Sequence, residues 1–145
     1  MHQSRDIVVI LEDNLDRLEI MRGIVTSLPG DFDLRHFDTV GELRAHASTV
    51  FQHARLISLD YCLDGSQSNA AAPGTGMDAV NFLMQRNPVC PVIVHTALAR
   101  ESHKMAEALT GRGWKVEQVS FGSSDRVEKW RAAAMQLLGL TDGKA

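Results

Sequence analysis

The chain has 145 residues, of which 44% are hydrophobic and 23% are charged, and its formal net charge at pH 7 is -3. This length and composition are typical of one globular domain with a buried core, and they exclude a disordered chain. The slight acidity argues against a nucleic-acid partner bound through bulk positive charge. No apolar run approaches the roughly 18 residues of a membrane span, and the N-terminus lacks the apolar segment of a signal peptide. We therefore expect a cytoplasmic protein with no membrane partner and with reduced cysteines at Cys62 and Cys90.

Strand and helix patterns alternate along the chain. The run from Asp6 to Leu11 is rich in β-branched residues, which is typical of a strand buried on both faces. Hydrophobic residues then recur at helical spacing from Leu15 to Leu28, before the Pro29-Gly30 pair ends the helix. Further strands are predicted at 32–37, 56–60, 92–95 and 116–121, and further helices at about 39–47, 77–86, 100–109 and 125–138. Between them, 61–76 is predicted to be one long loop, rich in Gly, Ser, Asn and Ala.

Five strands alternating with five helices predict a single parallel sheet covered by helices on both faces. Neighbouring parallel strands need helical crossovers, so the predicted fold class is a doubly wound α/β sandwich. We expect one domain over residues 1–140 and a disordered tail at 141–145. In such sheets a ligand binds beyond the carboxyl ends of the strands, where the strand order reverses. The residues that follow each strand are therefore the candidates for function.

Three acidic side chains stand at the ends of two predicted strands. Glu12 and Asp13 follow the first strand, and Asp60 ends the third. Carboxylates held close together either keep a proton or bind a cation, and a hard ion such as Mg²⁺ suits carboxylate, carbonyl and water ligands. The sequence thus predicts a divalent ion at this rim. The structural alternatives are helix capping by Glu12 and Asp13 and an Asx-turn at Asp60.

His95 and Thr96 end the fourth predicted strand at the same rim. Beside a phosphate, the imidazole of His95 would donate a hydrogen bond or serve as a general acid. The hydroxyl of Thr96 would be a further donor. The structural alternatives are a histidine bonded to nearby backbone and an ordinary β-branched strand residue.

Three segments resemble the receiver domain of two-component response regulators: IVVILED at 7–13, SLD at 58–60 and VIVHT at 92–96. The resemblance covers about residues 5–138 and implies a flavodoxin-like, CheY-like fold. It implies that Asp60 accepts a phosphoryl group and that Thr96 bonds the phosphate. It also implies a Mg²⁺ site formed by Glu12, Asp13, Asp60 and the backbone carbonyl of Cys62. The implied partners are a histidine kinase or another phosphodonor, and a downstream protein.

Two features depart from the ordinary receiver pattern. Receivers carry a lysine at the end of the fifth strand, but that end reads VSFG at 119–122, and Lys115 lies at the opposite end of the strand. The loop after Asp60 is also longer and richer in glycine than in a common receiver. Its Gly-Thr-Gly segment at 74–76 would present backbone N–H groups to an anion, unless it is only a connector.

Both departures make the chain similar to a receiver offshoot that is predicted to process cyclic phosphates. The shared features are ISLD at 57–60, Gly-Thr-Gly at 74–76, and a strand that ends in His-Thr at 95–96 and is followed by Met105. That group usually has Asp-His-Asp-Leu where this chain reads DYCL at 60–63, and an Asn at the position of Leu98. The sequence therefore lacks an acid/base or metal-binding pair that hydrolysis would use.

Three functions stay open on the sequence. The first is a stand-alone receiver-like signalling domain of a phosphorelay, phosphorylated on Asp60 with Mg²⁺ in the acidic pocket, because no output domain fits after Leu138. The second is a metal-assisted phosphoesterase acting on cyclic phosphates, with His95 as its acid or base. The third is a pseudo-receiver that binds partners without phosphorylation. Whether the chain forms a homodimer also stays open.

Overall fold

The computed structural model describes residues 6–63 and 74–140, in which five strands alternate with five helices. The strands form one sheet in the order β2-β1-β3-β4-β5, and every neighbouring pair is parallel. The predicted α/β fold class is thereby confirmed. The strands are β1 (Asp6–Leu11), β2 (Phe32–Phe37), β3 (Ala54–Leu59), β4 (Val92–Val94) and β5 (Val116–Gln118). The helices are α1 (Leu15–Ser27), α2 (Val40–Val50), α3 (Gly76–Met84), α4 (Ala99–Thr110) and α5 (Arg126–Leu137).

Two sequence predictions lie outside the described residues: the disordered tail at 141–145 and the greater part, 64–73, of the predicted long loop. Within the described ranges, none of the helices has the length and apolar character that a membrane crossing requires.

Side-chain alternation along the strands divides the core into two layers. Helices α2, α3 and α4 contribute to one buried cluster, and α1 and α5 contribute to the other. In β3, Leu56 belongs to the α1/α5 layer and Ile57 to the opposite layer. The same alternation in β4 assigns Ile93 to the α1/α5 layer. A period of two therefore aims Ser58 and His95, the next residues on that face, at α1 and α5.

Side-chain caps define where three helices begin. The side chain of Asn14 accepts the N–H of Arg17 at 3.0 Å, and Thr39 does the same for Glu42 at 3.0 Å. At α3 a reciprocal capping box joins Thr75 and Asp78. Each cap satisfies a backbone donor that a first helical turn leaves unpaired. Because Asn14 caps α1, the two acids that precede it are not required for capping.

Three strands end earlier than predicted, at Leu59, Val94 and Gln118. The chain nevertheless stays paired for one more residue, since the N–H of Asp60 donates to Leu11 O at 3.1 Å and that of His95 donates to Leu59 O at 2.9 Å. These bonds fix the first residue of each loop against the sheet. The site residues are therefore attached to the rigid part of the fold.

Candidate functional site

The predicted site residues Glu12, Asp13, Asp60, His95 and Thr96 all lie at the carboxyl-terminal rim of the sheet. They follow β1, β3 and β4, and the strand order reverses between β1 and β3, where such sheets open a crevice. Each of the five is at most 6% exposed. The fold thus brings polar groups from distant parts of the sequence into one buried place.

The carboxylates of Glu12, Asp13 and Asp60 form an oxygen cluster in which one oxygen of each lies within 4.8 Å of the others. Burial is the largest cause of a rise in the pKa of Asp60 to about 6, and the charge of Glu12 acts in the same direction. A bound proton or cation reduces the charge repulsion within such a cluster. An all-oxygen donor set fits a hard divalent ion.

Both carboxylate oxygens of Glu12 are held by donors. Nε2 of His95 donates to Oε1 at 3.0 Å, and the backbone N–H of Asn14 donates to Oε2 at 3.1 Å. The backbone carbonyl of Glu12 accepts a further bond from Nε2 of His36 at 2.7 Å. Burial raises the pKa of Glu12, but the hydrogen bond from His95 and the other stabilising contacts outweigh it, so the pKa is lowered. Glu12 is therefore a charged and oriented carboxylate.

The bonds of His95 continue away from the pocket into the core. Oγ of Ser58 lies 2.6 Å from Nδ1 of His95, and the indole Nε1 of Trp130 donates to that Oγ at 3.0 Å. The ring of Phe121 packs on the imidazole with centroids 5.3 Å apart. Both ring nitrogens of His95 are thus hydrogen-bonded inside the protein, and the acid/base role of His95 stays a prediction.

A cation missed by the sequence analysis lies beside Asp60. Nη1 of Arg17 is 3.5 Å from Oδ2 of Asp60, and the arginine side chain is 31% exposed. The other oxygen, Oδ1, accepts the N–H of Tyr61 at 2.7 Å. Arg17 lies on the first turn of α1, four residues after Asp13, and this position is the signal that could have indicated it.

Thr96 and Cys62 are the two other residues that the sequence analysis assigns to the pocket. Oγ1 of Thr96 accepts the N–H of Leu98 at 3.3 Å, a bond that leaves the hydroxyl hydrogen available as a donor. Cys62 lies two residues beyond Asp60 and is exposed. Burial and the charge of Asp60 raise the pKa of its thiol. The side chain is therefore a neutral thiol, and only the backbone carbonyl fits the predicted ligand role.

The Gly-Thr-Gly segment anchors α3 rather than presenting its donors outward. The N–H of Thr75 donates to Oδ2 of Asp78 at 2.9 Å, and the N–H of Gly76 donates to the carbonyl of Tyr61 at 2.8 Å. These two donors are used within the protein, so the predicted anion-binding turn is not supported at these positions. The segment instead ties α3 to the residue that follows Asp60.

Comparison with known proteins identifies the fold. No protein-family model and no curated protein matches the sequence. A response regulator from Colwellia psychrerythraea is 14% identical with a TM-score of 0.65, over 94% of this chain and 98% of that one. The Mn²⁺-bound response regulator Rcp1 is 14% identical with a TM-score of 0.69, over 97% and 99%. The phosphorylated cyanobacterial phytochrome response regulator RcpA is 13% identical with a TM-score of 0.70, over 93% and 95%.

TM-scores of 0.65 to 0.70 establish the fold, whereas identities of 13–14% leave the chemistry to be argued from the site. The matches extend over nearly the whole chain, in agreement with the resemblance that the motifs carry. This chain therefore has the CheY-like fold of response-regulator receiver domains.

Proposed function

We propose that this chain is a receiver-like signalling domain that accepts a phosphoryl group on Asp60 with Mg²⁺ held in the acidic pocket. The observation that carries the proposal is the meeting of three buried carboxylates, with ligand oxygens within 4.8 Å, beside the reversal in strand order. Two structures of similar fold add support, because one is described as Mn²⁺-bound and the other as phosphorylated.

Glu12, Asp13 and Asp60, with the carbonyl of Cys62, would hold the ion. When bound, the ion would spread the negative charge that builds on the transferring oxygens. Oδ2 of Asp60 is the better nucleophile, because its contact with Arg17 at 3.5 Å is weaker than the 2.7 Å bond that Oδ1 accepts from Tyr61. Its attack on phosphorus forms an acyl phosphate while the bond to the donor's leaving group breaks with its electron pair. The hydroxyl of Thr96 would then donate to a phosphoryl oxygen.

The proposal implies two protein partners. A histidine kinase or another phosphodonor supplies the phosphoryl group, and a downstream protein recognises the phosphorylated surface. The cyclic-phosphate alternative assigned acid/base chemistry to His95, and no contact of the described residues favours that assignment.

Incubation with Mg²⁺ and a small acyl-phosphate donor, followed by intact mass measurement, tests the proposal. We expect the mass of one added phosphoryl group on the wild type and none on Asp60→Asn. Asp16→Asn is the matched control, since Asp16 is an exposed acid in the first turn of α1, and it should label like the wild type. Labelling of Asp60→Asn would contradict the assignment of the acceptor. An absence of Mg²⁺ binding at millimolar metal would favour the phosphorylation-independent binding module.

Arg17→Gln should strengthen Mg²⁺ binding, because the guanidinium is a positive charge that competes for Asp60. The arginine is partly exposed, and such a pair contributes about 1 kcal/mol, so we expect affinity to rise by about fivefold. Calorimetric titration with Mg²⁺ measures the change. Arg22→Gln is the control, because Arg22 lies on the same helix but pairs with exposed Glu19 at 3.3 Å. Equal Mg²⁺ affinities in the two variants would show that Arg17 exerts no field on the pocket.

A further inference from the structure

We propose that Trp130, Ser58 and His95 form a buried hydrogen-bond relay that orients Glu12 as a metal ligand and transmits occupation of the pocket to α5. The inference rests on the proposed function, because it takes the acidic cluster to be the metal site. All four side chains of the relay, including Glu12, are 0% exposed. Successive donor and acceptor atoms lie 3.0, 2.6 and 3.0 Å apart.

The two end groups of the relay have fixed roles, because the indole of Trp130 can only donate and the carboxylate of Glu12 can only accept. The indole N–H of Trp130 has no acceptor lone pair, so Oγ of Ser58 must accept from it. In the neutral ring, Nδ1 of His95 accepts the hydroxyl hydrogen of Ser58, and the ring hydrogen then lies on Nε2. That nitrogen faces a carboxylate oxygen of Glu12, which can only accept. Each group in the series thus has a partner, as buried polar groups require.

The relay acts on the part of Glu12 that a metal site depends on. His95 fixes Oε1 and the backbone N–H of Asn14 fixes Oε2, so the carboxylate plane cannot rotate. Each oxygen keeps a second lone pair for the cluster with Asp13 and Asp60. A histidine N–H that holds a ligand in this way orients it and tunes its basicity. His95 is therefore a positioning residue, acting through Glu12.

Transmission to α5 follows from the place of Trp130 in the fold. Trp130 lies within α5 and is fully buried in the layer shared with α1. A cation at Glu12 withdraws electron density from Oε1 and weakens that atom as a hydrogen-bond acceptor. Hydrogen bonds in series polarise one another, so a change at one end alters the bond at the other. The indole thus becomes sensitive to the charge in the pocket through the bond of its nitrogen to Ser58.

The emission of Trp130 during Mg²⁺ titration tests the relay, in a Trp114→Phe background that leaves one of the two tryptophans. Trp114 is suitable for replacement, since its buried indole nitrogen has no hydrogen-bond partner among the described residues. We expect a saturable emission change whose midpoint equals that of calorimetric Mg²⁺ binding. Ser58→Ala should still bind Mg²⁺ but lose most of the emission change.

Substitutions at His95 test the positioning role. His95→Leu should weaken Mg²⁺ binding about tenfold or more, the usual effect of removing a ligand's orienting partner. His95→Gln, whose amide offers an N–H toward Glu12, should recover part of that loss. Phe121→Leu is the matched control, since it removes the ring against His95 but none of the three relay bonds, and it should keep both affinity and emission change. If His95→Leu does not fold, the Mg²⁺ affinities of His95→Gln and Phe121→Leu are compared instead to test the positioning role.

The outcomes separate the relay from the proposed function. Emission that stays constant while calorimetry shows Mg²⁺ saturation would overturn transmission to α5. Equal Mg²⁺ affinities in the His95 variants and Phe121→Leu would overturn positioning and leave the four residues as core packing. A wild type that binds no Mg²⁺ would overturn the proposed function, and the role of the relay with it.

Discussion

Asp60→Asn should stabilise the metal-free protein by about 3 kcal/mol at pH 8. Burial raises the pKa of Asp60 from its ordinary 3.8 to about 6, and each pKa unit corresponds to about 1.4 kcal/mol. The folded state therefore binds this proton more tightly than the unfolded state does, and stability falls as pH rises through the interval between the two pKa values. Well below pH 4 both states are protonated, and the advantage of Asn disappears.

Urea unfolding in the presence of a chelator, at pH 4 and at pH 8, measures this dependence. The free-energy gain of Asp60→Asn should be about 3 kcal/mol at the higher pH and no more than about 1 kcal/mol at the lower one. Asp16→Asn again serves as the control, because its carboxylate is exposed, and we expect no comparable gain. A gain of the same size at both pH values would mean that the substitution acts through packing and not through the buried charge. Mg²⁺ should stabilise the wild type more than Asp60→Asn, because the variant lacks one ligand.

The sequence predicted the fold because each element carries a local signal. The β-branched run in β1 and the helical spacing in α1 are contiguous patterns, and both elements occur where they were expected. The acid cluster was also predictable, since strand ends of a parallel sheet meet at one rim. The end of the fifth strand was less predictable. The strand ends at Gln118, but Val119 and Phe121 are also buried and continue its apolar alternation in the sequence.

The relay and the arginine contact were not predictable in the same way. Trp130 and Ser58 are 72 positions apart, and His95 and Glu12 are 83 apart, so no local pattern joins them. A serine within the otherwise buried apolar run of β3 was the one available signal, since a buried hydroxyl needs a partner. The partner itself depends on how α5 packs across the sheet. Local periodicity specifies a face, whereas only the packed fold specifies which side chains meet on it.

The Gly76→Ala variant should lose about 1–3 kcal/mol of stability, the usual range for an overpacked core site. A Cβ at this position would overlap the carbonyl oxygen of Asp60 and would lie 2.7 Å from Cα of Tyr61. Backbone atoms cannot turn aside as a flexible side chain can, so either α3 or the residues at the pocket must shift. We therefore also expect weaker Mg²⁺ binding, because the displaced backbone carries one of the three clustered carboxylates.

Gly23→Ala supplies the contrast, because Gly23 lies inside α1 and a Cβ there would meet nothing within 4 Å. Replacing a glycine in a helix interior by alanine should stabilise the folded protein by roughly 0.5–1 kcal/mol. The urea midpoint should therefore fall for Gly76→Ala and rise for Gly23→Ala, with the slope against urea concentration unchanged in both. This result would separate the effect of the close contact at Gly76 from the effect of helix propensity. If both variants gained stability, the close approach of α3 to the Asp60 backbone would be refuted. If Gly76→Ala lost stability but kept its Mg²⁺ affinity, α3 would have moved and the pocket would have stayed in place.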